Sequence, residues 1–378
     1  MNAKIGLAVG LLFASAGAYA QSSVTLFGVL DEGVNFTNNA GGGKAYQMAS
    51  VDLAVSRWGL KDSEDLGGGL HAIFDLESAF NVESGKTSYG GRLFGYQSFV
   101  GLQSDSLGTL TFGRQFDSIT DVIGLMTANG NWGGYLFSHP LDNDNTDATF
   151  HASNSVKFTS NEYGGFSATA LYGFSNQAGG FAQNRVFSTG LKYTYSTFSV
   201  GAVYEDLSAP GSNSGGSVAA DDIGFAAANQ KTYGVGATYG IGRATLGAVY
   251  THVDVQGPSS SIYLGDLGLG NADLKFDNFE FNLKYDFAPD FFVGGMYTYT
   301  RAHLNQNGAQ QSLHWNQAGL MAEYFLSKRT GLYSQVVYQR LSGGTTGTAL
   351  DTAYIPGAAS VSSNSHQIVA RVAITHSF

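Results

Sequence analysis

Period-two alternation of apolar and polar residues is the feature that most constrains what this chain can fold into. Between positions 278 and 287 the apolar residues are Phe279, Phe281, Leu283, Tyr285 and Phe287, and the polar residues between them are Asn278, Glu280, Asn282, Lys284 and Asp286. Successive side chains of a β-strand point to opposite faces, so this segment has one apolar and one polar face. The pattern recurs over 166–174, 187–195 and 198–205. The sequence therefore predicts an all-β fold.

Composition narrows the kind of β-protein. Only 13% of the 378 residues are charged, whereas 13% are aromatic and 52 are glycine. A disordered chain needs high charge and few aromatic residues, so this chain is expected to fold. The aromatic residues concentrate near the ends of the apolar strand faces, where a membrane-spanning barrel has its aromatic girdles. A secreted sandwich or propeller is the soluble alternative, but it has no need of such bands.

The connections between strands alternate between short and long. Short links are predicted near 62–68, 103–107, 161–164, 196–197, 240–242, 287–289 and 327–328, and long ones near 37–51, 82–91, 117–151, 176–184, 207–230, 255–272, 302–312 and 342–364. Fifteen connections join sixteen strands, and a sheet in lipid must close because no backbone group can remain unpaired there. The prediction is a 16-stranded antiparallel transmembrane β-barrel whose polar, glycine-rich interior is wide enough for water.

The N-terminus has the features of a secretory signal peptide. Lys4 precedes an apolar stretch over 5–17, and Ala18-Tyr19-Ala20 fits the pattern that signal peptidase cleaves. We therefore expect residues 1–20 to be removed and residues 21–378 to form one barrel domain. The apolar stretch is too short for a membrane-spanning helix, and no later stretch approaches 18 consecutive apolar residues.

Several function classes are disfavoured by the residue content. The chain has no cysteine, which excludes disulfides and thiol catalysis, and its net charge of −10 disfavours a nucleic-acid partner. The acidic run 142–147 begins like a calcium loop but has neither the glycine nor the distal glutamate of that motif. No Gly-x-Ser-x-Gly motif is present, and most of the eight histidines fall near predicted loops or strand ends. We expect neither a cofactor, nor a metal site, nor enzymatic activity.

Six sequence blocks carry a family resemblance. They are 21–31 (QSSVTLFGVLD), 56–70 (SRWGLKDSEDLGGGL), 98–102 (SFVGL), 108–115 (GTLTFGRQ), 153–157 (SNSVK) and the terminal 375–378 (THSF). Together they make the whole chain resemble the general porins of the β-proteobacterial type, which are relatives of the neisserial porins. This resemblance implies an outer-membrane homotrimer that passes ions and small hydrophilic solutes by passive diffusion. It also implies that the third long loop folds into the lumen as the constriction and that Phe378 serves as the C-terminal assembly signal.

The third long loop, residues 117–151, is called loop 3 below. Its length favours a functional role, because loops of this size are usually functional. It carries five aspartates: Asp117, Asp121, Asp142, Asp144 and Asp147. If the loop turns inward, these carboxylates face a basic barrel wall and sort ions by sign. The wall candidates are Arg57, Lys61, Arg92, Arg114 and Lys157. The alternative is a solvated loop on the outer surface.

Strand parity predicts which wall cations point inward. Arg57 and Lys61 share one parity and oppose Trp58, which is expected to face lipid. Arg114 shares the parity of the apolar Phe112, so it points inward only if the register shifts, and Gly113 is the predicted bulge.

At two positions this chain lacks an arginine that members of the family usually or often have. Tyr96 stands where relatives usually have arginine, and His151-Ala152 stand where they often have another. With five loop aspartates remaining, we predict a nearly unselective or mildly cation-preferring pore. Two other readings stay open: a sugar-type channel with an aromatic stacking track, and an adhesin or receptor that uses the loops 207–230 and 342–364. Most aromatic residues have lipid-facing parity, which disfavours the sugar-type channel.

Overall fold

A computed structural model describes residues 24–269 and 271–378, so the predicted signal peptide lies outside the described residues. One antiparallel sheet contains sixteen strands if the two collinear segments of the second are counted together. The strands are β1 (Thr25–Ala40), β2 (Gly43–Ala49 and Arg57–Gly67), β3 (Leu70–Ala79), β4 (Gln97–Ser104), β5 (Gly108–Gln115), β6 (Ala152–Ser160), β7 (Phe166–Gly173), β8 (Arg185–Tyr195), β9 (Phe198–Ser208), β10 (Asn229–Ile241), β11 (Ala244–Gln256), β12 (Ala272–Ala288), β13 (Phe291–Gln306), β14 (Ala309–Ser327), β15 (Thr330–Gly343) and β16 (His366–Ser377). Each pairs with the next along the chain.

The first and last strands close the barrel. β1 pairs with β16 from Val29 opposite Ser377 to Thr37 opposite Val369. Gly28 and the terminal Phe378 then exchange two backbone hydrogen bonds, of 3.1 and 3.0 Å. The predicted closed, sixteen-stranded antiparallel barrel is confirmed.

The period-two pattern corresponds to the two faces of the wall. On β12 the side chains of Phe279 and Phe281 are 48% and 54% exposed on the outer face, whereas Asn278 and Asn282 are fully buried on the inner face. All five prolines lie in connections, as expected if the strand interiors are fully hydrogen-bonded. The outer surface is thus the apolar one, which is the arrangement a bilayer requires.

Two of the predicted long loops are wrong. Residues 37–40 and 43–49 belong to β1 and β2 and are joined by a turn at Gly41-Gly42, while the irregular stretch lies at 50–56 inside β2. Residues 302–306 and 309–312 likewise continue β13 and β14 around Asn307-Gly308, a two-residue hairpin turn with positive φ at both positions. At the end of β13 the apolar residues Ala302 and Leu304 are buried inside the barrel, the reverse of the apolar-outside pattern used to predict the strands.

The interior also differs from the predicted purely polar lumen. Inward-facing apolar residues at the ends of the long strands pack under the outer connections, in a cluster that includes Phe276, Trp315 and Leu341 together with Phe225 and Leu350 from the connections. A small sheet of Phe225–Ala226, Ser260–Ser261 and Gly265–Asp266 lies among these connections. Long strands and loops therefore build a packed apolar layer inside one end of the barrel.

The helical elements are all single turns. They are Tyr89–Gly91, Ile119–Ile123, Gly124–Met126, Asn129–Gly133, Tyr135–Phe137, Pro140–Asp142 and Ala349–Asp351. Within the described residues, no helix has the length and apolar character needed to span a membrane.

Candidate functional site

Loop 3 packs its apolar side chains against glycines of the inner wall. A Cβ added at Gly236 of β10 would lie 3.2 Å from Met126 Sδ and 3.4 Å from Ile123 Cδ1, and one added at Gly201 of β9 would lie 2.6 Å from Val122 Cγ1. These glycines give the wall a smooth face on which the single-turn helices of loop 3 rest. Gly201 and Gly236 therefore have a packing role.

Backbone groups of loop 3 bind polar side chains of the opposite wall. Glu280 of β12 accepts a 2.7 Å hydrogen bond from the Ala128 amide. Gln317 of β14 donates to the Ser138 carbonyl at 2.9 Å, and Gln335 of β15 donates to that of Gly133 at 2.6 Å. Loop 3 leaves β5 and returns at β6, so these contacts take it across the barrel interior. It lies against the inner face of β9 to β15.

A buried ion cluster fixes the middle of loop 3. His139 Nδ1 lies 2.7 Å from Asp144 Oδ2, and His139 Nε2 lies 3.1 Å from Glu280 Oε2, with all three side chains buried. Burial alone would lower the pKa of His139, but the two carboxylates hold this pKa well above its usual range. Burial would likewise raise the pKa of Asp144, yet His139 keeps it below its usual value. The cluster therefore has a charged imidazolium between two carboxylates.

Three of the five predicted loop aspartates shape loop 3 itself. Asp117 accepts hydrogen bonds from the Thr120 amide at 2.8 Å and the Asn145 side chain at 2.6 Å. Asp142 accepts from the amides of residues 147 and 149 at 3.0 and 3.1 Å. With Asp144 bound to His139, these three carboxylates are buried in the loop and do not face the cavity beside it.

Asp121 and Asp147 do line that cavity. Asp121 Oδ2 lies 2.6 Å from the ammonium nitrogen of Lys157 on β6, which also donates to the Phe116 carbonyl at 3.0 Å. Burial and the nearby Asp142 raise the pKa of Asp147, which accepts a 3.1 Å hydrogen bond from Asn129. Each of the two carboxylates thus has a partner that reduces its field in the cavity.

Arg57 and Lys61 both lie on the inner side of β2 but in different surroundings. Arg57 lines the cavity, forms an ion pair with Glu77, and has its guanidinium carbon 4.6 Å from the centroid of the Tyr96 ring. Lys61 Nζ lies 4.5 Å from the centroid of the Phe27 ring, away from the residues that line the cavity. Of this pair, Arg57 is the cation in contact with the cavity.

Arg114 occupies a bulge, as the parity argument required. The pairing of β5 with β6 shifts register between Gly113 and Gln115, and Gly113 has a φ of +146°. The Arg114 side chain is 7% exposed and donates to the carbonyls of Gly95 and His151 at 2.6 and 2.9 Å. It also forms a 2.5 Å ion pair with Asp222.

Arg92 forms a similar tie. Its guanidinium lies 2.9 Å from Asp221, the neighbour of Asp222 in the outer connection 209–228. Arg92 and Arg114 therefore hold this connection against the mouth of the barrel, and both acids contribute to the cavity lining.

The cavity between loop 3 and the Arg57 wall has a volume of about 700 Å³. Six aromatic side chains contribute to its lining: Tyr89, Tyr96, Phe116, Tyr135, Tyr263 and Tyr354. Sequence reasoning missed them because all six lie in connections, where period two assigns no face. The one sequence signal for a member of this set was Tyr96, which stands where relatives usually have arginine.

The comparisons agree with this architecture. A family model described as Gram-negative porin matches residues 6–344. An outer membrane porin protein of Bordetella pertussis is 30% identical over 373 residues, which cover 89% of this chain and 94% of that protein. Outer membrane porin protein 32 of Delftia acidovorans is 27% identical over 380 residues, which cover 98% of this chain and 99% of that protein.

A solved structure described as an anion-selective porin from Comamonas acidovorans has the same fold. It matches with a TM-score of 0.71 at 23% identity and covers 94% of this chain and all of that one. Because the family match covers most of the sequence and the Bordetella relative covers nearly all of it, the chain belongs to the Gram-negative porin family and is an outer-membrane β-barrel.

Proposed function

We propose that this protein is a general diffusion porin, a water-filled channel that passes ions and small hydrophilic solutes without an energy source or a catalytic step. The observation that carries the proposal is the cavity of about 700 Å³ between loop 3 and the wall of a closed barrel. Loop 3 narrows the lumen from one side, and solutes are expected to pass on the other. The family resemblance adds that the functional unit is a homotrimer.

The proposed mechanism is sieving at the waist between loop 3 and the wall around Arg57. A solute enters from the outer vestibule, loses part of its hydration at this waist and leaves down its concentration gradient. Packing on glycines and the His139 ion cluster support a rigid loop 3, because a mobile loop would give no defined size limit.

The charges around the cavity favour weak ion selectivity with a slight preference for cations. The charged lining residues are Arg57, Asp121, Asp147, Asp221 and Asp222. Arg57 is paired with Glu77, whereas Asp121, Asp221 and Asp222 are paired with Lys157, Arg92 and Arg114. Paired charges leave a small net field, and Asp147, whose pKa is raised to about 8, is largely protonated at neutral pH and adds little to it. Asp121, Asp221 and Asp222 line the cavity whereas their cationic partners do not, so the carboxylates lie nearer the solute and favour cations. The proposal therefore differs from the anion selectivity stated for the Comamonas porin.

Single-channel recording tests the proposal. Purified, unheated protein in a planar bilayer under a potassium chloride gradient is expected to show conductance steps in groups of three and a small reversal potential of cation-preferring sign. A strong anion preference would falsify the charge assignment. Folded protein that conducts no current would contradict the open channel itself.

Two alternatives make different predictions in related experiments. A sugar-type channel, which the tyrosines of the cavity favour, would show saturable block of the current by glucose or maltose. An adhesin or receptor would lose partner binding but retain conduction when the outer connections are shortened. The ion pairs of Arg92 and Arg114 with the 209–228 connection speak against a freely projecting binding loop there.

A further inference from the structure

The aromatic side chains of the cavity form two groups. The first ring group is Tyr89, Tyr96 and Phe116, from the connection before β4 and the residue after β5. The second ring group is Tyr135, Tyr263 and Tyr354, from loop 3 and two outer connections. Segments far apart in sequence therefore bring six rings to one cavity, an arrangement that the sieving of hydrated ions does not require.

The rings of the first group are held by their neighbours. The Tyr96 and Phe116 centroids lie 5.2 Å apart with nearly perpendicular planes, and the Arg57 guanidinium covers Tyr96 at 4.6 Å. Tyr89 packs edge-on against the buried His151 ring, with the centroids 4.8 Å apart. Preformed rings bind a planar ligand with little loss of side-chain freedom, because few torsions have to be ordered.

The second ring group is also tied down. The Tyr263 and Tyr354 centroids lie 6.0 Å apart, and the Tyr263 hydroxyl is 2.5 Å from the Thr149 hydroxyl of loop 3. This contact joins an outer connection to the edge of the waist. Both groups are thus parts of a fixed wall.

Apolar side chains also contribute to the cavity lining. Leu125 of loop 3 and Ile262 of an outer connection both line the cavity, with 54% and 49% of their surface exposed. The carboxylates of the lining have cationic or amide partners, as described above. Small-ligand sites are typically apolar cavities of 300–1,000 Å³ with a few fixed polar groups, and this cavity has that size and chemistry.

We propose that the waist contains a binding subsite for small, uncharged solutes with a planar aromatic ring, which stack on the two ring groups during passage. The inference rests on the proposed function, because only an open channel admits solutes to the cavity. Binding is weak and brief, so that it raises the local solute concentration without blocking the flow. Offset or edge-on ring pairs supply the attraction, and the tyrosine hydroxyls and Arg57 supply polar contacts for a ring substituent.

Ion-current recording with a hydrophilic probe tests the subsite. Nicotinamide, which is planar and uncharged at neutral pH, is added to single channels in a planar bilayer. Cyclohexanecarboxamide serves as the non-aromatic probe of similar size, and glucose as the sugar probe. We expect brief current interruptions whose mean duration is longest with nicotinamide.

Two variants, one from each ring group, test the assignment to these residues. Tyr96→Leu and Tyr354→Leu are each expected to shorten the nicotinamide interruptions roughly two- to tenfold, the change that corresponds to one lost ring contact. Tyr324→Leu is the matched control, because Tyr324 is an exposed tyrosine on the outer face of β14. Its interruptions should equal those of the unmodified protein. The heat-dependent gel mobility of each variant establishes that it is folded.

The outcomes separate the two proposals. A conducting channel that nicotinamide does not interrupt, or interrupts no longer than cyclohexanecarboxamide does, overturns the subsite and leaves the channel function standing. Interruptions by glucose that last as long as those by nicotinamide overturn the aromatic class of ligand. Unchanged interruptions in both folded ring variants overturn the location. Folded protein without conductance contradicts the channel function, and the subsite falls with it.

Discussion

Two arcs of the inner wall serve different purposes. Along β9 to β15 the wall offers glycines and amide side chains, and loop 3 covers it so closely that Trp132 packs directly over Gly294. Along β2 to β6 the wall offers cations and aromatic rings, and the cavity lies in front of Arg57. The same barrel thus has an anchoring arc, which resembles a protein core, and an open arc, which faces water.

The difference shows how the inner wall positions loop 3, the proposed constriction. Residues without side chains on the anchoring arc let the loop approach, and buried hydrogen bonds then fix its position. On the open arc, bulky and charged side chains keep the space from closing, and ion pairs hold them against the wall. If the protein is the proposed diffusion channel, we expect the anchoring arc to set mainly the width of the pore and the open arc mainly its chemistry.

The largest expected effect comes from deleting most of loop 3, which packs on the anchoring arc. Deletion of residues 120–148 should raise the single-channel conductance roughly twofold or more and weaken ion discrimination, because a sixteen-stranded barrel without a plug leaves a wide aqueous lumen. Conductance steps in a planar bilayer measure this. A deletion of residues 177–182, in an outer connection that contributes no residue to the cavity lining, is the control and should leave the steps unchanged. Equal conductance of both deletions would mean that loop 3 is not the constriction.

Breaking the buried ion cluster should loosen the loop without deleting it. His139→Leu leaves the carboxylates of Asp144 and Glu280 buried and uncompensated, a change that costs about 3–5 kcal/mol. We expect a lower thermal midpoint and noisy, fluctuating conductance. His366→Leu, at an exposed strand end, is the matched control. A quiet channel of unchanged stability in His139→Leu would show that the cluster does not anchor loop 3.

Alkaline pH should weaken the same anchor. The folded-state pKa of His139 lies well above its usual value. A group with a raised pKa stabilises the fold below its usual pKa, and this stability is lost as the pH rises through the folded value. We therefore expect steady conductance near pH 5–6, where the imidazolium is charged, and increasing noise as the pH rises into the alkaline range. The noise in His139→Leu should depend less on pH, and noise that instead grows toward acid would contradict the sign.

A single methyl group on the anchoring arc should have a smaller effect. A Cβ at Gly294 would lie 2.5 Å from the Trp132 ring, so Gly294→Ala should cost about 1–3 kcal/mol and displace loop 3 toward the cavity. Conductance is expected to fall. Gly295→Ala is the adjacent control, because its Cβ would meet the flexible Leu320 side chain at 3.3 Å. If both variants conduct alike, the close contact between Trp132 and Gly294 does not set the pore width.

The smallest effect is expected from a charge on the open arc. Arg57→Gln removes the cation of the cavity lining but leaves its partner Glu77, so the reversal potential should shift toward cation preference. Because the ion pair between Arg57 and Glu77 is partly exposed, the free-energy difference between cation and anion permeation should change by about 1 kcal/mol or less. This corresponds to a change of at most about fivefold in the permeability ratio. Lys61→Gln, on the same strand but away from the cavity, should shift it less. A larger shift for Lys61→Gln would move the selectivity region toward the other end of the lumen.

Much of the fold could be predicted because lipid and water impose opposite demands on the two faces of every strand. The alternation over 278–287 identified the outer and inner faces of β12 correctly. It failed at 37–49 and 302–312. At 302–304 the apolar residues Ala302 and Leu304 are buried inside the barrel whereas Arg301 is exposed, which reverses the contrast between the faces that holds over 278–287. A reversed pattern does not match the apolar-outside signal of a membrane-facing strand, although the backbone continues the sheet.

Only part of the candidate site could be predicted from the sequence, because many of its residues lie in connections that have no period-two pattern. Parity predicts an inward Arg57 and a bulge before Arg114. In the structure Arg57 lines the cavity, and the register of β5 with β6 shifts after Gly113. The partners of these cations could not be predicted, because Asp222 is more than a hundred residues from Arg114 in sequence. Nor could it be foreseen that Asp117 and Asp142 bind amides of their own loop, since an aspartate in a loop of unknown path has no assigned direction.

The amino-acid sequence by itself was sufficient to predict the number of strands, their outward faces and the family. These properties depend on the alternation of apolar and polar residues and on short contiguous sequence blocks. Tertiary structure decided which carboxylates face water, which cations are neutralised and which rings meet at the waist. Those properties depend on contacts between connections, and a connection carries no periodic signal that fixes its path. The proposed selectivity therefore depends on residues that the tertiary structure brings together and that the strand pattern does not reveal.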